Sequence, residues 1–461
     1  MDGDHGSLTE RLAAALNRAR AAGIDDATRA AAKRFVLDTL ACAMAGTPTP
    51  QGRMLLAEGR RRGHGPAGVL ALDDGRDDET AALVNGGLAH IVEMDDLDRA
   101  SVVHPGCVVV PAALAVAEAT GASGAAFLDA VVVGYEAAVR VGESVGRSHY
   151  AQFHNTATCG PYGSASASAA LLGLDDERTV WALGNAGSVA GGLWQFNRDG
   201  AMTKHLHAGR AAANGVLAAR LAADGFTGAR EVLEGAQGLF AGTSTDARPE
   251  RVAAGLDGLG GATPWRIHGV SVKPHASCRH THPAVDAALA LRRELGGEVV
   301  AAARSVTVET YGAALAVTDT PDPRNPYQAK FSLQYTVAQA LVGGRVGLGD
   351  FGPDRLDDPG LRAVMGRVGL RVDPGIDARY PGGWGARVRV GLADGRERTA
   401  QVDAPVGDPE VPVDDAAMLA KVADLLDGTR WAGRAAAIAD EVAGLDRRAS
   451  MAGWLAGLQR A

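Results

Sequence analysis

Cysteine is scarce in this 461-residue chain: only Cys42, Cys107, Cys159 and Cys278, with no two in a CxxC pair. That excludes zinc-ribbon and dithiol redox motifs. A chain of this size without a disulfide framework is expected in a reducing, cytoplasmic setting. Aromatic residues make up only 5% of the chain. No GxxxxGK[ST] loop occurs, and no glycine-rich turn follows a strand as dinucleotide binding requires, so no nucleotide cofactor is expected. Lys and Arg (46) are outnumbered by Asp and Glu (54), giving a formal charge of −8. A nucleic-acid partner would call for a basic footprint instead. No apolar run is long enough to cross a bilayer, so no membrane partner is expected. The opening MDGDHGSLTERLAAAL lacks the basic and apolar regions of a signal peptide.

The chain that remains is 46% hydrophobic and 22% charged, with 61 glycines and many alanines. Such a composition favours closely packed helices with small contact residues and leaves ample core for two or three domains. Ser7 and Glu10 form a capping box ahead of a Leu/Ala run. A second helix is expected over 26–44, where Val36, Leu37, Leu40 and Met44 fall at helical spacing. Residues 45–78 read as a loop with short pieces of structure. Further helices are expected from Glu79, after Pro105, from Ser123, and around 162–172, 175–190 and 202–224. At GLGGATPW (258–265) the pattern changes to alternating strands and helices. Strand-like segments are IHGVSV, RSVTVET and VGLRV, and Asp394-Gly395 turns a hairpin. The expected fold is therefore mainly α: a helical domain over 1–262, a smaller α+β domain over 263–406, and a helical return over 407–461.

Polar residues gather at loops and helix ends. Glu93, Asp95 and Asp96 stand near His104, and His149 and Tyr150 near His154. In GGLWQFNRDGAMTKHLHAGR (191–210), Lys204, His207 and Arg210 are spaced three apart on one helix face. A lysine, a histidine and an arginine at the start of an Ala-rich helix are costly to desolvate unless something anionic lies close by. KPHASCRHTH (273–282) holds Lys273, His275, Cys278, Arg279, His280 and His282. Two chemistries could use this set. In the first, Asp95, Asp96, His104 and His154 bind a metal for hydrolysis. No HExxH spacing supports it, and nearby Lys and Arg would repel a cation, so no metal is expected. In the second, Lys and Arg bind a carboxylate substrate while histidines move protons at the adjacent carbon. That chemistry needs no cofactor.

Five segments carry a resemblance to a known family: NGGLAHIVEMDDLDRASVVHPG (85–106), FHNTATCGPYGSA (153–165), AGSVAGGLWQFNRDGAMTKHLHAGRAAANG (186–215), VKPHASCRHTHPAVDAA (272–288) and AKFSLQYTVAQAL (329–341). In these the chain resembles the MmgE/PrpD family over nearly its whole length. That family includes 2-methylcitrate dehydratase, cis-aconitate decarboxylase and an iminodisuccinate epimerase. The resemblance implies a large all-helical domain with an α+β lid, a homodimer, and a cofactor-free lyase, a dehydratase or decarboxylase of a small di- or tricarboxylic acid. An epimerase or isomerase using the same proton abstraction is the alternative, and a non-catalytic binding protein of the same fold a lesser one. By the family pattern, Lys204 binds a substrate carboxylate, with Arg279 helping. His104 and His154 are the acid/base pair. Asp95 orients one of them or acts on the substrate. Glu93, Gln195, His207, Cys278, His280 and His282 line the substrate site. The chain departs from the family pattern at Glu93 (usually Asp), Leu97 (Thr), His205 (Arg) and His280 (Tyr), and these departures bear on which acid is bound.

Overall fold

The computed structural model describes residues 6–298 and 302–460. They form two compact units. The first holds residues up to Ile91, then Asp95–Val270, then 418 onward; the second holds Ser271–Ala417 with the short stretch Val92–Met94.

The first unit is helical, and its helices begin where side chains satisfy their free N–H groups. Ser7 and Glu10 close a full capping box at Leu8–Ala22. Asp25, Asp77, Ser123 and Asp175 cap Asp26–Gly46, Asp78–Ala89, Gly124–Ser144 and Asp176–Ser188. Among the helices that were not anticipated, Pro50–Arg60 is the longest. It starts at the Thr49 cap with proline in its first turn, inside the segment expected to be a loop.

Thr203–Ala223 packs on Asp78–Ala89, Gly160–Leu172 and Asp176–Ser188, while Gly124–Ser144 packs on Gly160–Leu172. Small residues let these axes close up. A Cβ on Gly134 would sit 2.8 Å from the Gly163 carbonyl oxygen, and one on Gly163 would sit 2.7 Å from that of Gly134. Any larger residue at either position would force the two helices apart. The last part of the chain is tied in by charge. Lys421 pairs with Asp38 in the interior, and the buried Glu118 accepts from the backbone N–H of Gly68 (2.6 Å) and Leu455 (2.8 Å).

The second unit has a four-stranded sheet in the order Val368–Val372, Ser305–Thr310, Ala386–Gly391, Glu397–Val402. The first pair is parallel, with Val306 opposite Val368, and the other two are antiparallel. Gly395, at φ +87°, makes the hairpin turn. Val306, Val308, Val388 and Val390 point into the core. The helix His282–Leu295 packs on the Ala386–Gly391 and Glu397–Val402 strands and on the helix Leu333–Gly343.

The units change over at 270/271 and 417/418, not at the expected 262/263 and 406/407. At the first boundary, Trp265 and Ile267 are buried, the Arg266 N–H donates to Glu136 (2.6 Å), and Thr28 bonds the His268 ring (3.0 Å). These ties keep the segment in the helical unit. IHGVSV accordingly opens as a 3-10 turn, Arg266–Gly269, and only Val270–Ser271 is extended. At the second boundary, the Val272 N–H donates to the Gly407 carbonyl (2.9 Å) and Asp408 pairs with Arg279 (2.5 Å), which holds 407–417 in the second unit. Among the described residues no helix is long and apolar enough to cross a membrane.

Candidate active site

In the helical unit the site is built on the return of the chain from the helix Asp78–Ala89 to the helix Gly106–Thr120. His90 is the C-cap of the first helix, and His104 stands two residues before the second. The connecting turn is held from inside. The Asp98 N–H bonds the Val103 carbonyl (2.9 Å), and the Asp98 carboxylate accepts from the Ser101 N–H (2.7 Å). Asn155 donates to the Ser101 carbonyl (2.7 Å), and the Thr156 hydroxyl accepts from the His104 N–H (3.1 Å). Both of these residues directly follow His154, so one short segment locates His154 and the turn together.

Asp95 is fully buried. Its Oδ2 lies 2.6 Å from His90 Nδ1 and 3.2 Å from His104 Nδ1. Burial pushes this carboxyl up, yet the charges and hydrogen bonds of His90 and His104 outweigh burial and hold it well below the ordinary value of 3.8. It is therefore an ionised acid shared by two imidazoles. The His90 ring lies edge-on to His104 (4.7 Å between centroids) and stacks on His154 (5.6 Å, 17°). His90 Nε2 and Asp95 Oδ1 are buried without a hydrogen-bond partner among the described residues.

His154 is buried between Trp194 (5.1 Å) and His90, and its Nδ1 is 3.4 Å from that of His207. Burial, and then the charges of His90 and Lys204, push its pKa well down. His207 is lowered to about 4 by burial, His90 and Lys204. Both rings are therefore neutral near pH 7. Lys204 is itself buried. The adjacent His205 bonds the His90 carbonyl through Nδ1 (3.2 Å).

The structure separates several residues that sequence spacing had grouped with these. Arg210 bonds Asn214 (2.7 Å) and faces Glu79 (3.7 Å) at the half-exposed end of its helix face. His149 has both ring nitrogens bonded, to Thr243 and Thr158 (2.8 Å each), and is a packed structural histidine. Gln195 is exposed and donates to Asp199 (3.0 Å), so it does not line the histidine cluster. His90, on the other hand, was not singled out as an acid/base group. Its only local signal is the five-residue spacing to Asp95.

In the second unit, Glu93 sits at φ +61°, a strained position for a non-glycine residue. Lys273, fully buried, donates to the Glu93 carbonyl (3.1 Å) and lies 3.6 Å from its carboxylate. Lys330 donates to the Val92 carbonyl (2.6 Å). Arg279, expected to help bind a carboxylate substrate, already binds one: its Nη2 is 2.5 Å from Asp408, and its Nη1 donates to His282 Nδ1 (2.8 Å) and the Val406 carbonyl (2.9 Å). His282 then donates through Nε2 to the Ser277 carbonyl (3.2 Å). Both residues are thus held by contacts within the second unit. His280 bonds the Tyr311 hydroxyl (2.8 Å) and stacks on Trp384 (4.3 Å, 7°). Its pKa is pushed to about 3 by burial and Lys273. Cys278 is buried, and its N–H donates to the Lys330 carbonyl (2.9 Å).

Arg279→Leu should therefore act on stability. Removing one partner of a buried ion pair costs about 3–5 kcal/mol, measured as a lower free energy of urea unfolding. Unchanged stability with weakened substrate binding would return Arg279 to the substrate.

His90, Asp95 and Cys107 offer ligand atoms within 4.8 Å of one another. The donor set is a poor match for a metal ion. The Cys107 thiol donates to the His104 carbonyl (3.3 Å), a bond that a metal-bound thiolate could not make. His90 Nδ1 is already committed to Asp95.

Comparison with known proteins agrees with this architecture. A cis-aconitate decarboxylase-like protein of Aspergillus oryzae is 28% identical over 83% of this chain and 83% of its own. Cis-aconitate decarboxylases of Aspergillus terreus and Homo sapiens are each 27% identical. The first alignment spans 90% of this chain and 88% of the relative; the second spans 80% and 77%. A 2-methylcitrate dehydratase of Salmonella typhimurium is 30% identical over 22% of each chain. These relatives are named as decarboxylases and dehydratases. The MmgE/PrpD N-terminal domain model matches residues 10–252 and the C-terminal domain model residues 275–447. With both domains matched in order, the chain belongs to the MmgE/PrpD family.

Proposed function

We propose that the protein is a cofactor-independent lyase that removes carbon dioxide from a small unsaturated tricarboxylate of the cis-aconitate type by acid/base catalysis. The single observation that carries this reading is the buried Asp95 carboxylate shared by His90 and His104. The long alignments with cis-aconitate decarboxylases favour decarboxylation over dehydration, since the dehydratase likeness covers only 22% of the chain.

In this reading Lys204, with its charge in a low-dielectric interior, holds a substrate carboxylate. The bond between one carboxyl carbon and its neighbour breaks, and carbon dioxide leaves. The bonding pair moves through the adjacent double bond to the carbon beside a second carboxylate, where the developing charge is stabilised by Lys204. His104, whose Nδ1 is 3.2 Å from the ionised Asp95, delivers a proton to that carbon and is reprotonated from water. His154 and His207, both neutral, supply hydrogen bonds without adding positive charge.

The test is proton NMR in D₂O with cis-aconitate, 2-methylcitrate, citrate, malate and tartrate. The expected result is loss of carbon dioxide from the unsaturated tricarboxylate, with one deuterium entering beside a remaining carboxylate. Loss of water instead would make the protein a dehydratase, and exchange with inversion an epimerase. No turnover and no exchange with any of these acids would overturn the lyase reading.

A further inference from the structure

The arrangement of Asp95 against His104 depends on a turn whose two ends are joined by the neighbouring acid. Asp96 accepts through Oδ1 from the Gly106 N–H (2.9 Å) and through Oδ2 from the Tyr135 hydroxyl (2.7 Å). Asp96 follows Asp95, and Gly106 comes two residues after His104. One carboxylate therefore bridges the start and the end of the segment that carries both groups. The third member, Tyr135, lies in the middle of the helix Gly124–Ser144 and is fully buried, with its ring against Phe35 (5.5 Å).

The junction has no slack. A Cβ on Gly106 would lie 2.5 Å from the Thr39 hydroxyl, 2.8 Å from Asp96 Oδ1 and 2.9 Å from the Tyr135 hydroxyl. Three polar groups thus converge on a backbone position that only glycine can occupy. Neither Asp96 nor Tyr135 is needed for the proton transfers described above. Burial pushes the Asp96 carboxyl up to about 8 despite the two hydrogen bonds it accepts, so the group is costly to place and is best accounted for by what it holds.

We propose that Asp96 and Tyr135 are positioning residues, a brace that sets the distance between Asp95 and His104. Their effect on turnover rests on the lyase reading; their effect on the geometry does not. Groups one step removed from the reacting atoms typically change activity by about 10- to 100-fold, and an error of about 1 Å in placement can cost about 100-fold.

Tyr135→Phe removes only the hydroxyl. With the acid that the wild-type protein turns over, kcat is expected to fall about 10- to 100-fold while KM stays within about threefold. The second readout is independent of activity. His90 Nδ1, 2.6 Å from Asp95 Oδ2, should give a far-downfield imidazole N–H signal in proton NMR, and His104 Nδ1, 3.2 Å from the same oxygen, a less shifted one, assigned with His90→Gln and His104→Gln. In Tyr135→Phe these signals should shift or broaden by exchange with water. Asp96→Ala, which removes both acceptors, should do the same and gives a second test of the brace. Unchanged downfield signals together with an unchanged kcat would overturn the brace. If the wild-type protein turns over none of the acids, the lyase reading fails while the NMR result still decides the brace.

Discussion

Replacing Asp95 by asparagine is expected to lower kcat by about 1,000- to 10,000-fold, the scale seen when a buried acid orienting a catalytic histidine loses its charge. Asp95 Oδ2 faces His90 Nδ1 at 2.6 Å and His104 Nδ1 at 3.2 Å. An ionised carboxylate selects the Nδ1–H form of His90 and places a negative charge beside His104. The asparagine amide does neither, because one of its two ends is a donor. The same change has a signature in stability. The Asp95 carboxyl is held below its ordinary 3.8 in the folded protein, so the stabilisation it provides is present above that value and is lost as pH falls through the folded-state value. His207, held at about 4 rather than 6.5, adds a loss of the same sign that begins below 6.5. Melting temperatures across acidic pH should therefore fall less steeply in Asp95→Asn than in the wild-type protein, the His207 contribution remaining. A kcat within tenfold of wild type would remove Asp95 from the mechanism.

How far the site could be read from sequence depends on how local its interactions are. The first helix start was legible because a cap is a contact over three residues, as with Ser7 and Glu10. The Asp394-Gly395 hairpin was legible for the same reason. Asp95, His104, His154 and Lys204 stood out as polar residues in loops or at a helix start, and the structure buries all four in the helical unit. His90 did not stand out, since a histidine at the end of an apolar helix resembles any packed one. Its importance comes from an acid five residues on, across a turn with no regular period. Arg279 is the opposite case. An arginine flanked by histidines suggests a carboxylate ligand, and the carboxylate it binds is Asp408, 129 residues away. The domain boundaries moved by several residues because buried side chains such as Ile267 and Asp408, rather than glycine and proline, decide which core a segment joins.

Lys204→Met should lower kcat/KM by about 100- to 1,000-fold, the loss typical when one donor to a developing negative charge is removed. Methionine keeps most of the buried stem, so packing changes little, and what disappears is the ammonium. Lys204→Arg is the matching control. It keeps the charge but spreads it over a planar fork that does not fit the space of a compact ammonium, so it should restore only part of the activity. Lys204 also leaves a mark that does not depend on turnover. Its charge helps to hold His154 well below 6.5 and His207 at about 4, although burial is the larger cause at both rings. Removing it should move both titrations upward, His207 the more readily measured because its value is accessible by NMR. An upward shift with lost activity would place the charge of Lys204 at the histidine cluster and at the substrate together. Near wild-type activity would show that no substrate carboxylate depends on it. A His207 titration that did not move would show that the ammonium points away from the rings.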